Sequence, residues 1–184
     1  MQAFFVSTIA VAVGEIGDKT QLLAFLLAAR YRRPWPIIAG IFVATLLNHA
    51  LAGLLGHWLM TQVSAELLRW SLGLSFLLIA VWTLKPDEID DAQVPESRWG
   101  IFSLTLLSFF LAEIGDKTQL ATVALAVKYA DLTWVVAGTT VGMLIADVPA
   151  VLLGKMLTPS FPFHLVRRCA AAIFAVLGVI VLLN

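Results

Sequence analysis

Long apolar stretches alternate with short polar ones along this chain, and six of them approach the roughly 20 residues that carry a helix across a bilayer. They run Phe4–Ala29, Pro36–Leu59, Leu67–Leu84, Gly100–Val127, Trp134–Leu157 and Phe163–Leu183. The pattern predicts an all-α integral membrane protein with six transmembrane helices. Between the third and fourth stretches lies KPDEIDDAQVPESR, Lys85–Arg98, with five acids against two bases and prolines toward both ends. That composition marks a hydrophilic linker.

The two halves around the linker align without a gap at an offset of 98 residues. Phe4 pairs with Phe102, Tyr31 with Tyr129, Ala39-Gly40 with Ala137-Gly138, Arg69 with Arg167 and Phe76 with Phe174. This is an internal duplication of three predicted spans. The expected organisation is a first three-helix repeat at 1–84, an acidic cytoplasmic linker at 85–98 and a second three-helix repeat at 99–184. Because three is odd, the second copy enters the membrane from the opposite side, the inverted-topology repeat of many secondary transporters.

Basic residues set the expected orientation. Arg30, Arg32, Arg33, Lys85, Arg98, Lys155, Arg167 and Arg168 share one side, while Arg69 and Lys128 fall on the other. Both termini are therefore expected on the non-cytoplasmic side, with the linker inside. Trp35, Trp58, Trp70, Trp82, Trp99 and Trp134 lie near predicted span ends, as an aromatic belt would.

Composition agrees with the pattern: 60% of residues are hydrophobic, 13% are charged, and the mean hydropathy is +0.93. A net charge of zero gives no reason to expect a nucleic-acid partner. The one cysteine, Cys169, has no second cysteine in the chain to pair with. The N-terminus, MQAFFVSTIAVAV, lacks the positive start of a signal peptide and runs on into LLAFLLAA, so it is expected to form the first half of a mature span. No feature of the sequence encodes an oligomeric state.

Against this background EIGDKTQL occurs twice, at residues 15–22 and 113–120, near the middle of the first and fourth stretches. A charge at the bilayer centre costs at least about 2.5–3.5 kcal/mol, so the six charges must face one another or water. On a helix Glu15 and Asp18 share a face, Gln21 follows at the next turn, and Lys19 is four residues from Glu15. Gly17 and Gly115 would permit either close helix approach or local unwinding that frees backbone carbonyls.

Meeting across the pseudo-twofold axis, the motifs would gather Glu15, Asp18, Glu113 and Asp116. These hard oxygen donors suit Mg²⁺, Ca²⁺ or Mn²⁺. Four carboxylates against Lys19 and Lys117 leave a charge of −2, which one divalent ion or two protons would neutralise, so metal and protons are expected to compete there. The alternative is that each Glu–Lys pair merely holds helices together, but that leaves the excess of acid unexplained.

Other polar residues fall in predicted spans. The repeat offset maps Asp147 onto His49, which neighbours Asn48, and Pro149 follows Asp147 as a potential kink. His49 and Asp147 are candidates for outer ligands or a proton path, or, for His49, a hydrogen-bonded bundle histidine. Thr20 and Thr118 follow the motif lysines, and Gln21 and Gln119 follow the threonines. Thr45, Thr139 and Thr140 read as packing residues, and His57 and His164 as solvated.

Paired E-x-G-D-K-T motifs, one in the first and one in the fourth of six spans, resemble the GDT family of cation/proton exchangers, and the likeness extends over nearly the whole chain. It implies that Glu15, Asp18, Glu113 and Asp116 bind the cation, with Lys19, Thr20, Lys117 and Thr118 completing the motifs. It further implies antiport of Mn²⁺, or of Ca²⁺ and Mn²⁺, out of the cytoplasm against protons, with no prosthetic group, from a bacterial inner membrane. The rival classes are a passive cation channel, a subunit of a membrane complex, and a membrane-embedded metalloenzyme. The last lacks an evident base, nucleophile or histidine ligand set.

Overall fold

The computed structural model describes residues 1–85, 100–153 and 163–183. These form eight α-helices: α1 Gln2–Glu15, α2 Lys19–Tyr31, α3 Pro34–Gln62, α4 Ala65–Leu84, α5 Ile101–Glu113, α6 Lys117–Tyr129, α7 Leu132–Leu153 and α8 Phe163–Leu183. The second, third, fifth and sixth apolar stretches correspond to single helices, α3, α4, α7 and α8. The first and fourth are each divided in two at the repeated motif. All of the linker beyond Lys85, and positions 154–157 of the fifth stretch, lie outside the described residues.

Local sequence accounts for the helix boundaries. Proline at the first turn of α3 lacks an N–H that the helix could not use there. Ser64 opens α4 by accepting from the Leu67 N–H at 3.4 Å. α2 and α6 end alike, on Arg32 and Ala130, both in the left-handed region at φ 54° and 50°. Those two residues are 98 apart, so the repeat extends to a backbone conformation that residues with a side chain seldom adopt. Pro149 sits inside α7, two residues after Asp147.

Helices α3, α4 and α7 are long and apolar enough to cross a membrane, and α1 and α5 are shorter apolar helices. Large apolar side chains such as Trp35, Leu67, Leu78 and Val81 point outward, a surface suited to lipid. The chain is a membrane protein, all-helical among the described residues.

The principal packings are α1 on α7, α3 on α5 and α4 on α8. Lipid supplies little hydrophobic drive between helices, so contact depends on how closely backbones can approach. A Cβ on Gly138 would lie 2.5 Å from the Phe4 carbonyl oxygen, and one on Gly40 would lie 2.9 Å from that of Phe102. Thr8 also donates to the Gly138 carbonyl at 3.1 Å. Between α4 and α8 the repeat-related Phe76 and Phe174 are fully buried and stacked, with centroids 6.5 Å apart.

Filling the α1–α7 contact should be costly. Gly138→Val is expected to destabilise the detergent-purified protein by about 1–3 kcal/mol, the usual overpacking range, read as a lowered melting temperature. Unchanged melting would contradict this packing.

Candidate metal centre

Each EIGDKTQL motif folds into a helix break whose parts the letters specify. Ile16 at φ −63°, ψ 117° followed by Gly17 at φ 82° gives the two central positions of a type II turn, closed by the Asp18 N–H donating to the Glu15 carbonyl at 3.0 Å. Ile114 at φ −62°, ψ 119° and Gly115 at φ 75° repeat it, with Asp116 N–H to Glu113 carbonyl at 3.1 Å. The second central position requires positive φ, hence glycine. A Cβ on Gly115 would meet nothing within 4 Å, so the glycine there serves the turn and not close helix approach.

Asp18 and Asp116 then occupy the N-cap positions of α2 and α6. Three residues on, Gln21 and Gln119 reach back to accept from the Gly17 and Gly115 N–H groups at 2.9 and 2.7 Å, a variant of the capping box. Their amide ends tie the breaks to neighbouring helices. Gln21 donates to the Ala146 carbonyl on α7 at 2.9 Å, and Gln119 to Asn48 Oδ1 on α3 at 3.4 Å. Asn48 in turn donates to the Phe110 carbonyl at 3.1 Å.

The unwound turn replaces the shared helical face expected for Glu15, Asp18 and Gln21. Glu15 ends α1 and Asp18 begins α2, so the two carboxylates do not sit a helical turn apart. The expected Glu15–Lys19 and Glu113–Lys117 proximity gives way to pairing across the motifs. Lys117 Nζ lies 2.6 Å from Asp18 Oδ1, and Lys19 Nζ lies 3.0 Å from Asp116 Oδ1. Each lysine neutralises the aspartate of the other copy.

The glutamates are held differently. Thr20 donates to Glu15 Oε2 at 2.6 Å and Thr118 to Glu113 Oε2 at 3.0 Å. The remaining oxygens, Glu15 Oε1 and Glu113 Oε1, are buried and take no hydrogen bond. Carboxylate oxygens of Glu15, Glu113 and Asp116 converge within 4.8 Å of one another, all three residues being buried. Asp18 stands apart from this triad, against Lys117. Three hard oxygen donors so placed are of the type that hard divalent cations favour.

Asp147 lies on α7 and His49 on α3. Both are fully buried, and neither carboxylate oxygen of Asp147 nor either ring nitrogen of His49 has a hydrogen-bond partner. Asp147 is close enough to interact electrostatically with Glu15 and Glu113, yet it lies outside the converging triad. His57 and His164 are exposed. Arg167 adds a contact that hydropathy did not single out: its guanidinium donates to the Gly17 carbonyl, at 3.2 Å, inside the first break. Its signal in the sequence was a repeat-matched arginine, Arg69 with Arg167, in otherwise apolar stretches.

Repeat symmetry is kept within each break and lost around it. Lys117 is 4% exposed, whereas Lys19 is 33% exposed. α4 packs on α6 and α8 on α1, while the repeat-related faces of α5 and α2 are covered much less. Breaking the more buried pair leaves a charge stranded in low dielectric, typically costing about 3–5 kcal/mol. Lys117→Ala should therefore lower the melting temperature of the purified protein at least twice as far as Lys19→Ala. Equal losses would contradict the asymmetry.

The family model described as "Divalent cation/proton antiporter GDT1" matches residues 3–91 and 101–184. A Vibrio cholerae protein named "Putative manganese exporter" is 50% identical over 179 residues, covering 97% of this chain and 89% of its own. A GDT1-like protein of Synechocystis is 30% identical, covering 98% and 96%. The "Divalent cation/proton antiporter GDT1" of Saccharomyces cerevisiae is 22% identical, covering 95% and 81%. No solved structure matches.

Proposed function

The chain belongs to the GDT1 family of divalent cation/proton antiporters, and from that premise we propose that it exports Mn²⁺ from the bacterial cytoplasm in exchange for protons. The observation that carries this reading is the buried convergence of Glu15, Glu113 and Asp116, two of them with an oxygen left without a partner. The crossed Lys–Asp pairs account for four of the six motif charges. What remains is Glu15 and Glu113, a charge of −2. One Mn²⁺ or two protons neutralises it, so cation and protons occupy the same carboxylates alternately and not together. Ca²⁺, another oxygen-seeking ion, is a second substrate of the same site.

In this reading α1–α2 and α5–α6 are the interrupted first and fourth of six spans in two inverted repeats, at 1–84 and 99–184. Both termini face away from the cytoplasm. The break ends then meet near the midplane, where helix termini and freed carbonyls serve ion sites in transporters. Asp18 takes part by holding Lys117 and orienting the second motif. Asp147, beside the glutamates, relays protons, and His49 and Asn48 support the second break.

Access alternates because two equivalent surroundings exist for the same site. Here α4 and α8 pack against α6 and α1, which the proposed topology places on the outer half. Lys19, at the start of the inner half-helix α2, is the more exposed lysine. This arrangement is the inward-facing one. The repeat-exchanged arrangement, with Lys19 buried and Lys117 exposed, is its outward-facing counterpart.

Reconstitution in liposomes tests the proposal, with Mn²⁺ supplied on one side and a pH dye on the other. Mn²⁺ flux coupled to counter-moving protons is expected, and Glu15→Gln or Glu113→Gln should abolish both. Metal flux without protons would leave a channel instead, and normal transport by either variant would remove the glutamates from the site.

A further inference from the structure

Away from the ion site, Arg69 and Lys128 are the two bases that the loop assignment leaves on the base-poor side, and they are 59 residues apart in sequence. The fold brings them together. Both line one cavity of about 390 Å³ between α4, α6 and α8. Neither forms an ion pair with a carboxylate among the described residues. Arg69 lies over the Trp70 ring at 5.8 Å and Lys128 over the Tyr129 ring at 5.7 Å. Arg69 Nε is buried with no acceptor. Asp131, close in sequence to Lys128, accepts instead from the Trp134 N–H at 3.3 Å.

The cavity does not end at the cations. Leu68, Leu72 and Val127 line it and also line a second cavity of about 350 Å³, which extends between α4 and α6 along Leu78, Ile79 and Leu120. Two cations without a carboxylate partner among the described residues thus stand at one end of a long apolar groove. A small anion would satisfy the cations and leave the apolar groove unfilled. An acyl chain would fill the groove and leave the buried Nε unsatisfied. A molecule with a phosphate at one end and a hydrocarbon chain attached answers both, and basic pockets between membrane helices hold such headgroups.

We propose that Arg69, Lys128 and the α4–α6 groove form a binding site for an anionic phospholipid of the outer leaflet, its phosphate on the two cations and one acyl chain along Leu72 and Leu120. The site is separate from the carboxylate triad and does not depend on what the triad transports.

The test uses the full chain, purified in mild detergent, stripped of lipid and exposed separately to phosphatidylglycerol, phosphatidylcholine and inorganic phosphate. Melting temperature and native mass are read. Phosphatidylglycerol should raise the melting temperature and add one lipid mass, and the other two probes should do neither. Arg69→Gln with Lys128→Gln should require about thirtyfold more phosphatidylglycerol for the same shift. Leu72→Trp, which keeps both cations and blocks the groove, should also lose the shift, and it carries the test if the double variant does not fold. An equal response to phosphatidylcholine, or an undiminished response in the variants, would overturn the proposal. So would a response to inorganic phosphate alone, which marks a soluble-anion site, or a lipid-free dimer, which gives the face to a second copy.

Discussion

The crossed ion pairs, Lys117 with Asp18 and Lys19 with Asp116, are what the rest of this protein is arranged around. Each joins the two halves of the chain, and in the sealed pair, Lys117 with Asp18, separating the partners would leave bare charge in low dielectric. The halves are therefore held together by the same residues that shape the site. Once both aspartates are matched, the excess acid resides on Glu15 and Glu113, each anchored by a threonine through one oxygen and unsatisfied at the other. Within the motifs, the acid left without a matching base is thus confined to these two glutamates, with the fully buried Asp147 a third unpartnered carboxyl beside them.

Local geometry makes this possible twice. In each motif glycine permits the turn, aspartate begins the next helix, and glutamine closes the loose N–H and fastens the break to a neighbour. The two breaks are near copies, but their surroundings are not. One lysine is sealed and the other is partly open, with α4 and α8 leaning toward one half of the bundle. In the proposed transport cycle the two copies exchange these surroundings.

Much of this was legible in the sequence. Hydropathy located the apolar stretches, and the 98-residue offset tied the two motifs to equivalent places. The acid excess followed from counting charges. The division of the first and fourth stretches was open, because Gly17 and Gly115 suit either close approach or unwinding; the empty space beside Gly115 and its φ of 75° decide it. Which acid each lysine meets was not legible, since a helical face assigns Lys19 to Glu15 and only the tertiary arrangement brings it to Asp116. For the same reason Asp18 was counted with the other three acids, although it lies against Lys117 outside the triad. Gln21 and Gln119 read as amides on a face, and their capping role depends on a turn that periodicity does not reveal. Arg167 was visible as a repeat partner of Arg69 and as one of the bases that set the orientation, but not as a partner of the first break, because its bond to the Gly17 carbonyl spans 150 residues.

The decisive measurement is calorimetric titration of Mn²⁺ into the purified protein over a range of pH, in buffers of differing ionisation enthalpy, so that protons released per ion are counted. A single carboxylate set shared by metal and protons requires the affinity to fall as the pH is lowered and protons to be released on binding, up to about two per ion. A pH-independent affinity with no proton release would contradict it.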